Sequence, residues 1–162
     1  MKKHPFSLLL FVLFVACDFS WEINSGTETE KARNHIEKTL DNWHQAASDA
    51  DFEAYFKLLD TDAVFVGTDA SEVWNKKEFM QFAKPYFDKG RAWHFTKINR
   101  HIYFDELHSG MAWFDETLDT WMGICRGSGV VVKKNNQWLL KHYVLSLTVP
   151  NDKMNKVMQI IN

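Results

Sequence analysis

The chain has 162 residues, 46% hydrophobic and 15% aromatic, which excludes disorder as the default and is most simply one domain with a real core. Lys and Arg total 19 against 21 Asp and Glu, and a formal net charge of −2 gives no electrostatic case for nucleic acid. The 13 Phe and 7 Trp read either as a core packed with large rings or as the lining of a concave pocket, and both can hold at once.

At the N-terminus, Lys2, Lys3 and His4 precede an apolar run, Phe6 to Ala16. That run is shorter than the roughly 20 apolar residues a spanning helix needs. It reads as a positive n-region and a short h-region of a secretory signal peptide. Its end, Leu13-Phe14-Val15-Ala16-Cys17, resembles the bacterial lipobox, with Phe14 where Leu is usual. Lipidation would then fall on Cys17; the alternative is an ordinary signal peptide cut near Ala16. The expected organisation is signal peptide and lipobox over 1–17, a polar tether over 18–29, and a domain over 30–162. The expected location is the bacterial cell envelope, lipid-anchored, or alternatively the periplasm or exterior as a soluble protein. Membrane contact is expected only through that anchor. If Cys17 carries lipid, Cys125 is a lone thiol in a strand and a disulfide scaffold is excluded.

Glu28 to Asp49 is predicted helical, since Ile36, Leu40, Trp43 and Ala47 make one apolar stripe. Asp51 is the expected N-cap of a second, short helix burying Phe52, Tyr55, Phe56 and Leu59. Thr61 to Thr68 is a strand ended by Gly67, and 71–74 a short extended partner. Lys76 to Lys89 is a third helix with Phe79, Phe82, Ala83, Tyr86 and Phe87 inward. Pro85 inside it predicts a kink or a new first turn, and Gly90 a C-cap. Trp93 to Glu106 is the next strand.

The last third carries three further strand-like runs, Ala112 to Trp121, Cys125 to Lys134 and Trp138 to Val149. Lys133 to Gln137 is the polar turn of a hairpin. Gly127 and Gly129 predict a bulge, a bend or a close approach. Asn151 to Asn162 reads as a short amphipathic helix capping the sheet. Helices segregated to one face of an antiparallel sheet make an α+β domain.

Five segments carry a resemblance: DAVFVGTDASEVW (62–74), PYFDKGRAWHF (85–95), AWFDE (112–116), CRGSGVVV (125–132) and WLLKHYVLSLTVPND (138–152). Together they resemble the nuclear transport factor 2-like superfamily in its SnoaL-like branch, over about residues 30 to 160. The resemblance implies a cone: a curved antiparallel or mixed sheet wrapped around a deep pocket, with three helices closing the side. It also implies homodimers through the sheet's outer face. That fold hosts isomerases, dehydratases, cyclases, epoxide hydrolases and non-catalytic association domains, so it does not choose a reaction.

Candidate chemistry follows from residue types. Asp115 and Glu116 are adjacent, so only one can face the pocket, where burial among rings would raise its pKa and suit it to acid–base work. The alternative is a rim carboxylate paired with Arg126. Arg126 itself reads either as an anion clamp inside the cone or as a structural partner of those carboxylates. His94 could be a general base. Trp43, Trp74, Trp93 and Trp113 could stack on a flat ligand, and Tyr86, Tyr143 and Tyr55 could donate to an oxyanion; core packing is the alternative for each. Asp62 and Asp69 read as strand-entry and turn residues. His44, His101 and His142 show no metal spacing and read as satisfied or exposed. No cofactor or metal is expected. Three functions stand side by side: a binder of a small apolar or aromatic ligand, a lyase- or isomerase-type enzyme using a pocket carboxylate, and a dimeric interaction module without catalysis.

Overall fold

The structure, a computed structural model, describes the backbone of residues 10–105 and 110–161 and the side chains of 26–105 and 110–161. Residues 1–9, which open the stretch read as a signal peptide, and the Cys17 side chain, on which the lipidation reading falls, lie outside the described residues. The chain divides into two units at the step from His35 to Ile36. In the first, exposed pairs one helical turn apart, Glu28–Lys31 at 2.9 Å and Glu30–Arg33 at 3.7 Å, decorate the helix.

Helix α1 runs Leu10–Ser48, so it begins before the expected Glu28 and includes the stretch read as a tether. Its Ile36–Ser48 portion belongs to the second unit and buries Ile36, Leu40, Trp43 and Ala47, the stripe its spacing predicts. Asp51 caps α2 (Phe52–Lys57) by accepting from the Ala54 N–H at 2.9 Å. Leu59, expected on that helix, instead opens β1 (Leu59–Val66). β2 (Val73–Asn75) leads into α3 (Lys76–Asp88), which Asn75 and Glu78 close with a reciprocal capping box. Pro85 does not start a new helix: α3 continues past it, with Pro85 on the exposed side where water can take the freed carbonyl. Phe79, Ala83 and Phe87 are buried, but Phe82 and Tyr86, expected inward, are 38% and 46% exposed. Gly90 follows the helix with φ +67°, the left-handed conformation suited to glycine.

Four strands complete the sheet: β3 (Thr96–Phe104), β4 (Met111–Thr120), β5 (Gly123–Lys134) and β6 (Gln137–Leu147). The order is β2-β1-β6-β5-β4-β3, antiparallel throughout except for the parallel pair β1 and β6. The β5–β6 hairpin turns on Asn135 and Asn136, at φ 48° and 62°, both positive as a two-residue turn of the twist-matched kind requires. The fold is the expected α+β architecture with a mixed, curved sheet.

The glycine step does two jobs. A Cβ on Gly129 would run into the His142 carbonyl, beside the register shift that leaves Lys141 unpaired in β6. A Cβ on Gly127 would collide with the Tyr143 hydroxyl and press on the Glu116 side chain. Gly127 therefore makes the space in which those two groups meet.

The C-terminal helix α4 (Met154–Ile161) corrects another expectation. It buries none of its residues, and Met154, Met158 and Ile161 are 41%, 43% and 68% exposed, so it does not cap the sheet.

Gly127→Ala is expected to destabilise the domain by about 2–4 kcal/mol, combining overpacking with loss of a hydrogen bond to a buried charge. Urea unfolding measures it; a change within about 0.5 kcal/mol, the range of an ordinary surface substitution, would contradict this role.

Candidate functional site

Alternation along β4 sends Asp115 and Glu116 to opposite faces. Glu116 turns inward and is fully buried. Asp115 turns outward, with His101 Nδ1 at 3.2 Å and the Tyr103 hydroxyl donating to it at 3.1 Å. One of the pair faces in, as alternation requires, but its environment is not the apolar one expected.

Glu116 is surrounded by partners from three elements. The Tyr143 hydroxyl on β6 donates to Oε1 at 2.9 Å, and His44 Nε2 on α1 lies 2.8 Å from the same oxygen. Arg100 on β3 donates through Nε to Oε2 at 2.8 Å, with Nη2 2.7 Å away. The remaining Arg100 nitrogen, Nη1, reaches Glu37 at 2.7 Å and Asp41 at 2.8 Å on α1, where Lys97 joins both carboxylates. The Arg100 guanidinium is itself buried, so this charge cluster sits between α1 and the sheet.

The electrostatic result reverses the sequence expectation. Burial pushes the Glu116 carboxyl up, but the His44 hydrogen bond and the charges of His44 and Arg100 outweigh it and hold the pKa below its ordinary value. Burial, then the adjacent Glu116 charge, pushes the Tyr143 phenol well above its ordinary value. Glu116 is thus a fixed anion and Tyr143 a fixed donor. His44, read from sequence as a satisfied or exposed histidine, is satisfied by Glu116. No local motif marks the cluster, because its members lie on α1, β3, β4 and β6.

A second feature is an open cleft of about 150 Å³. Its walls include Phe65 of β1, Trp74 of β2, Phe79 and Phe82 of α3, Trp93 and Phe95 of the following loop, and Trp121 and Leu145. The rings lie nearly parallel: Trp74 and Phe82 at 4.5 Å and 24°, Trp74 and Phe79 at 5.6 Å and 19°, Phe79 and Trp93 at 5.8 Å and 24°. Glu116 is not among the lining residues. Phe95 links the two features, lying 6.2 Å from the His44 ring while lining the cleft.

The sequence candidates therefore separate. Trp74 and Trp93 line the cleft. Trp43 is core, stacked on Tyr55 at 5.1 Å and edge-on to Tyr143 at 4.8 Å. Trp113 is 42% exposed on the outer face, stacked on Tyr103. Tyr86 is on the exposed side of α3. Arg126 is exposed beside Thr117 and Ser146, because strand alternation turns it away from Glu116; Arg100 pairs with Glu116 instead. His94 is exposed and bonds Ser48 Oγ at 2.6 Å. Asp62 pairs with Lys141, beside a buried Asp60 whose pKa falls to about 2: burial opposes this, and the Lys134 hydrogen bond and the Thr61 N–H outweigh it. Among the described residues, no group of three His, Cys, Asp or Glu is placed to hold a metal ion, and Cys125 is a buried free thiol.

The lowered Glu116 pKa sets a pH dependence. A carboxylate whose folded pKa lies below its unfolded value contributes stability above the unfolded value, about 4.3, and that contribution is lost as pH falls through the lowered folded value. Unfolding free energy should drop below roughly pH 4, and Glu116→Gln, already destabilised at neutral pH by about 3 kcal/mol because Arg100 keeps only Glu37 and Asp41 as anionic partners, should show a shallower acid slope. Equal slopes in denaturant titrations at stepped pH would contradict the assignment.

Comparison with known proteins agrees with the geometry. The SnoaL-like domain family matches residues 36–150. No curated protein matches the chain. Among solved structures, a dehydratase candidate of the nuclear transport factor 2-like family from Streptomyces avermitilis superposes with TM-score 0.65 at 13% identity, covering 75% of this chain and 99% of that one. A candidate scytalone dehydratase from Novosphingobium aromaticivorans gives 0.64 at 13% identity, covering 76% and 89%. The association domain of C. elegans CaMKII gives 0.60 at 23% identity, covering 75% and 98%. With the family matching residues 36–150 and the curved mixed sheet in place, the chain belongs to the SnoaL-like domain family and shares the nuclear transport factor 2-like fold.

Proposed function

We propose that this domain binds a small, flat, apolar or aromatic ligand in the cleft between β1, β2 and α3. The observation that carries the reading is the near-parallel set of Trp74, Phe79, Phe82 and Trp93 rings around an open volume of about 150 Å³. Parallel faces offer stacking to a planar guest, and a mostly apolar lining with few polar groups is the usual composition of a small-molecule site. Phe82 at 38% and Trp121 at 82% exposure mark the open side by which a guest could enter.

The lyase or isomerase reading has one supporting observation: His44 is hydrogen-bonded to an ionised carboxylate and lies behind Phe95, at the cleft wall. A carboxylate-oriented imidazole is an arrangement suited to proton transfer. Against it, both oxygens of Glu116 are occupied and its proton affinity is lowered, so Glu116 is unsuited to be the proton carrier. Ligand binding is accordingly the primary reading, and any chemistry would run through His44 rather than Asp115, Glu116 or His94.

Ligand-observed NMR with a panel of flat bicyclic aromatics tests the proposal. Trp74→Ala should weaken binding at least about tenfold, or about 1.4 kcal/mol, while Trp113→Ala on the outer face leaves it unchanged. Equal affinity in Trp74→Ala and the parent would overturn the reading.

A further inference from the structure

We propose that the ligand of this cleft is a flat organic cation, recognised by the Glu72 carboxylate together with the faces of the surrounding rings. The inference rests on the aromatic-cleft reading above and names its ligand class. Among the described residues that line the cleft, only Glu72 is charged, Thr68 is the other with a polar aliphatic side chain, and none is Lys, Arg or His. The remaining walls are mainly aromatic, and an aromatic face carries negative potential that attracts a cation. An anionic guest would meet a carboxylate and ring faces with no compensating positive group among the described lining residues, so charge complementarity selects against it.

The carboxylate is held in place rather than trailing in solvent. Asp69 Oδ1 accepts from the Ser71 N–H at 2.8 Å and from the Ser71 hydroxyl at 2.5 Å, which closes the turn after β1. The Glu72 N–H donates to the Asp69 carbonyl at 3.0 Å, and the Gly67 N–H donates to the Glu72 carbonyl at 2.8 Å. The Asp69 N–H then donates to Glu72 Oε2 at 3.1 Å. Among the described residues Oε1 has no hydrogen-bond or ion-pair partner, and it is the oxygen left for a guest. Gly67 also lines the cleft, and a Cβ there would overlap both the carboxylate and the Cβ of Glu72. Glycine at the end of β1 thus lets the carboxylate lie close against the strand, at one end of the wall of rings. A planar cation in the cleft would meet the uncovered faces and edges of these rings with the Glu72 carboxylate lining the same space. Such pairing is strengthened where water is partly excluded.

The test compares guests of one shape and different charge: N-methylquinolinium, neutral quinoline and quinoline-2-carboxylate at neutral pH, by isothermal titration calorimetry on the full chain. The expected order is cation tightest, neutral ring at least about tenfold weaker, and carboxylate weakest, with the cation's margin falling about tenfold in Glu72→Gln and the neutral ring unaffected, tenfold being 1.4 kcal/mol. Gly67→Ala retains the charge but displaces it, and should reduce the same margin. Quinoline binding as tightly as the cation, or an undiminished margin in Glu72→Gln, overturns the cation proposal while leaving the cleft reading intact. No binding by any of the three overturns both.

Discussion

A carboxylate with no exposed surface has to be compensated where it lies, and Glu116 imposes that requirement on the whole domain. Its compensation comes from His44 on α1, Arg100 on β3 and Tyr143 on β6, and Gly127 on β5 leaves the space that the Tyr143 hydroxyl enters. Arg100 then passes the constraint on by binding Glu37 and Asp41, one turn apart on α1. The register of four neighbouring strands, β3 to β6, and the seating of the helix are therefore tied to one buried charge. The apolar stripe of α1 buries Ile36, Leu40, Trp43 and Ala47, and the charge cluster adds a directional constraint, because each displaced partner would leave a buried ion with fewer partners.

The same cluster shapes where chemistry or binding can occur. Every Glu116 oxygen and the Arg100 guanidinium are engaged within the protein, which removes them as obvious contacts for a guest. The cleft between β1, β2 and α3 has the opposite character. It is open, mostly aromatic, and edged by a turn whose hydrogen bonds leave one carboxylate oxygen of Glu72 uncommitted. Two cleft rings touch partners of Glu116: Phe95 lies against His44 and Phe65 against Tyr143, so the cleft wall is continuous with the charge cluster.

Much of the architecture was readable in the sequence. The α1 stripe, the Asp51 cap, the Asn135-Asn136 turn and the close approaches at Gly127 and Gly129 follow from spacing and backbone chemistry, which act over a few residues. The family resemblance drawn from five segments agrees with the match over residues 36–150. The site was harder to read. Alternation requires Asp115 and Glu116 to face opposite ways but does not say which turns inward, and it places Arg126 outside once Glu116 is inside. Arg100 lies 16 residues from Glu116 and His44 lies 72 away, so no local motif joins them. A buried carboxylate was expected to have a raised pKa because rings were in view and Arg100 was not. The packing expected of α4 failed because periodicity shows that a helix has an apolar face, not that a partner meets it. Phe82 and Tyr86 were placed inward by the same α3 periodicity that correctly buries Phe79, Ala83 and Phe87, yet they fall at the stripe's edge.

The central claim is that the cleft, and not the outer face or the core, is where a guest is received. Two-dimensional NMR of the indole N–H signals during titration with N-methylquinolinium tests it most directly. The account predicts that the Trp74, Trp93 and Trp121 signals shift together while those of Trp113 and Trp138 stay in place. A shift of Trp113 with the cleft indoles unmoved would put the guest on the outer face of the sheet and contradict the account.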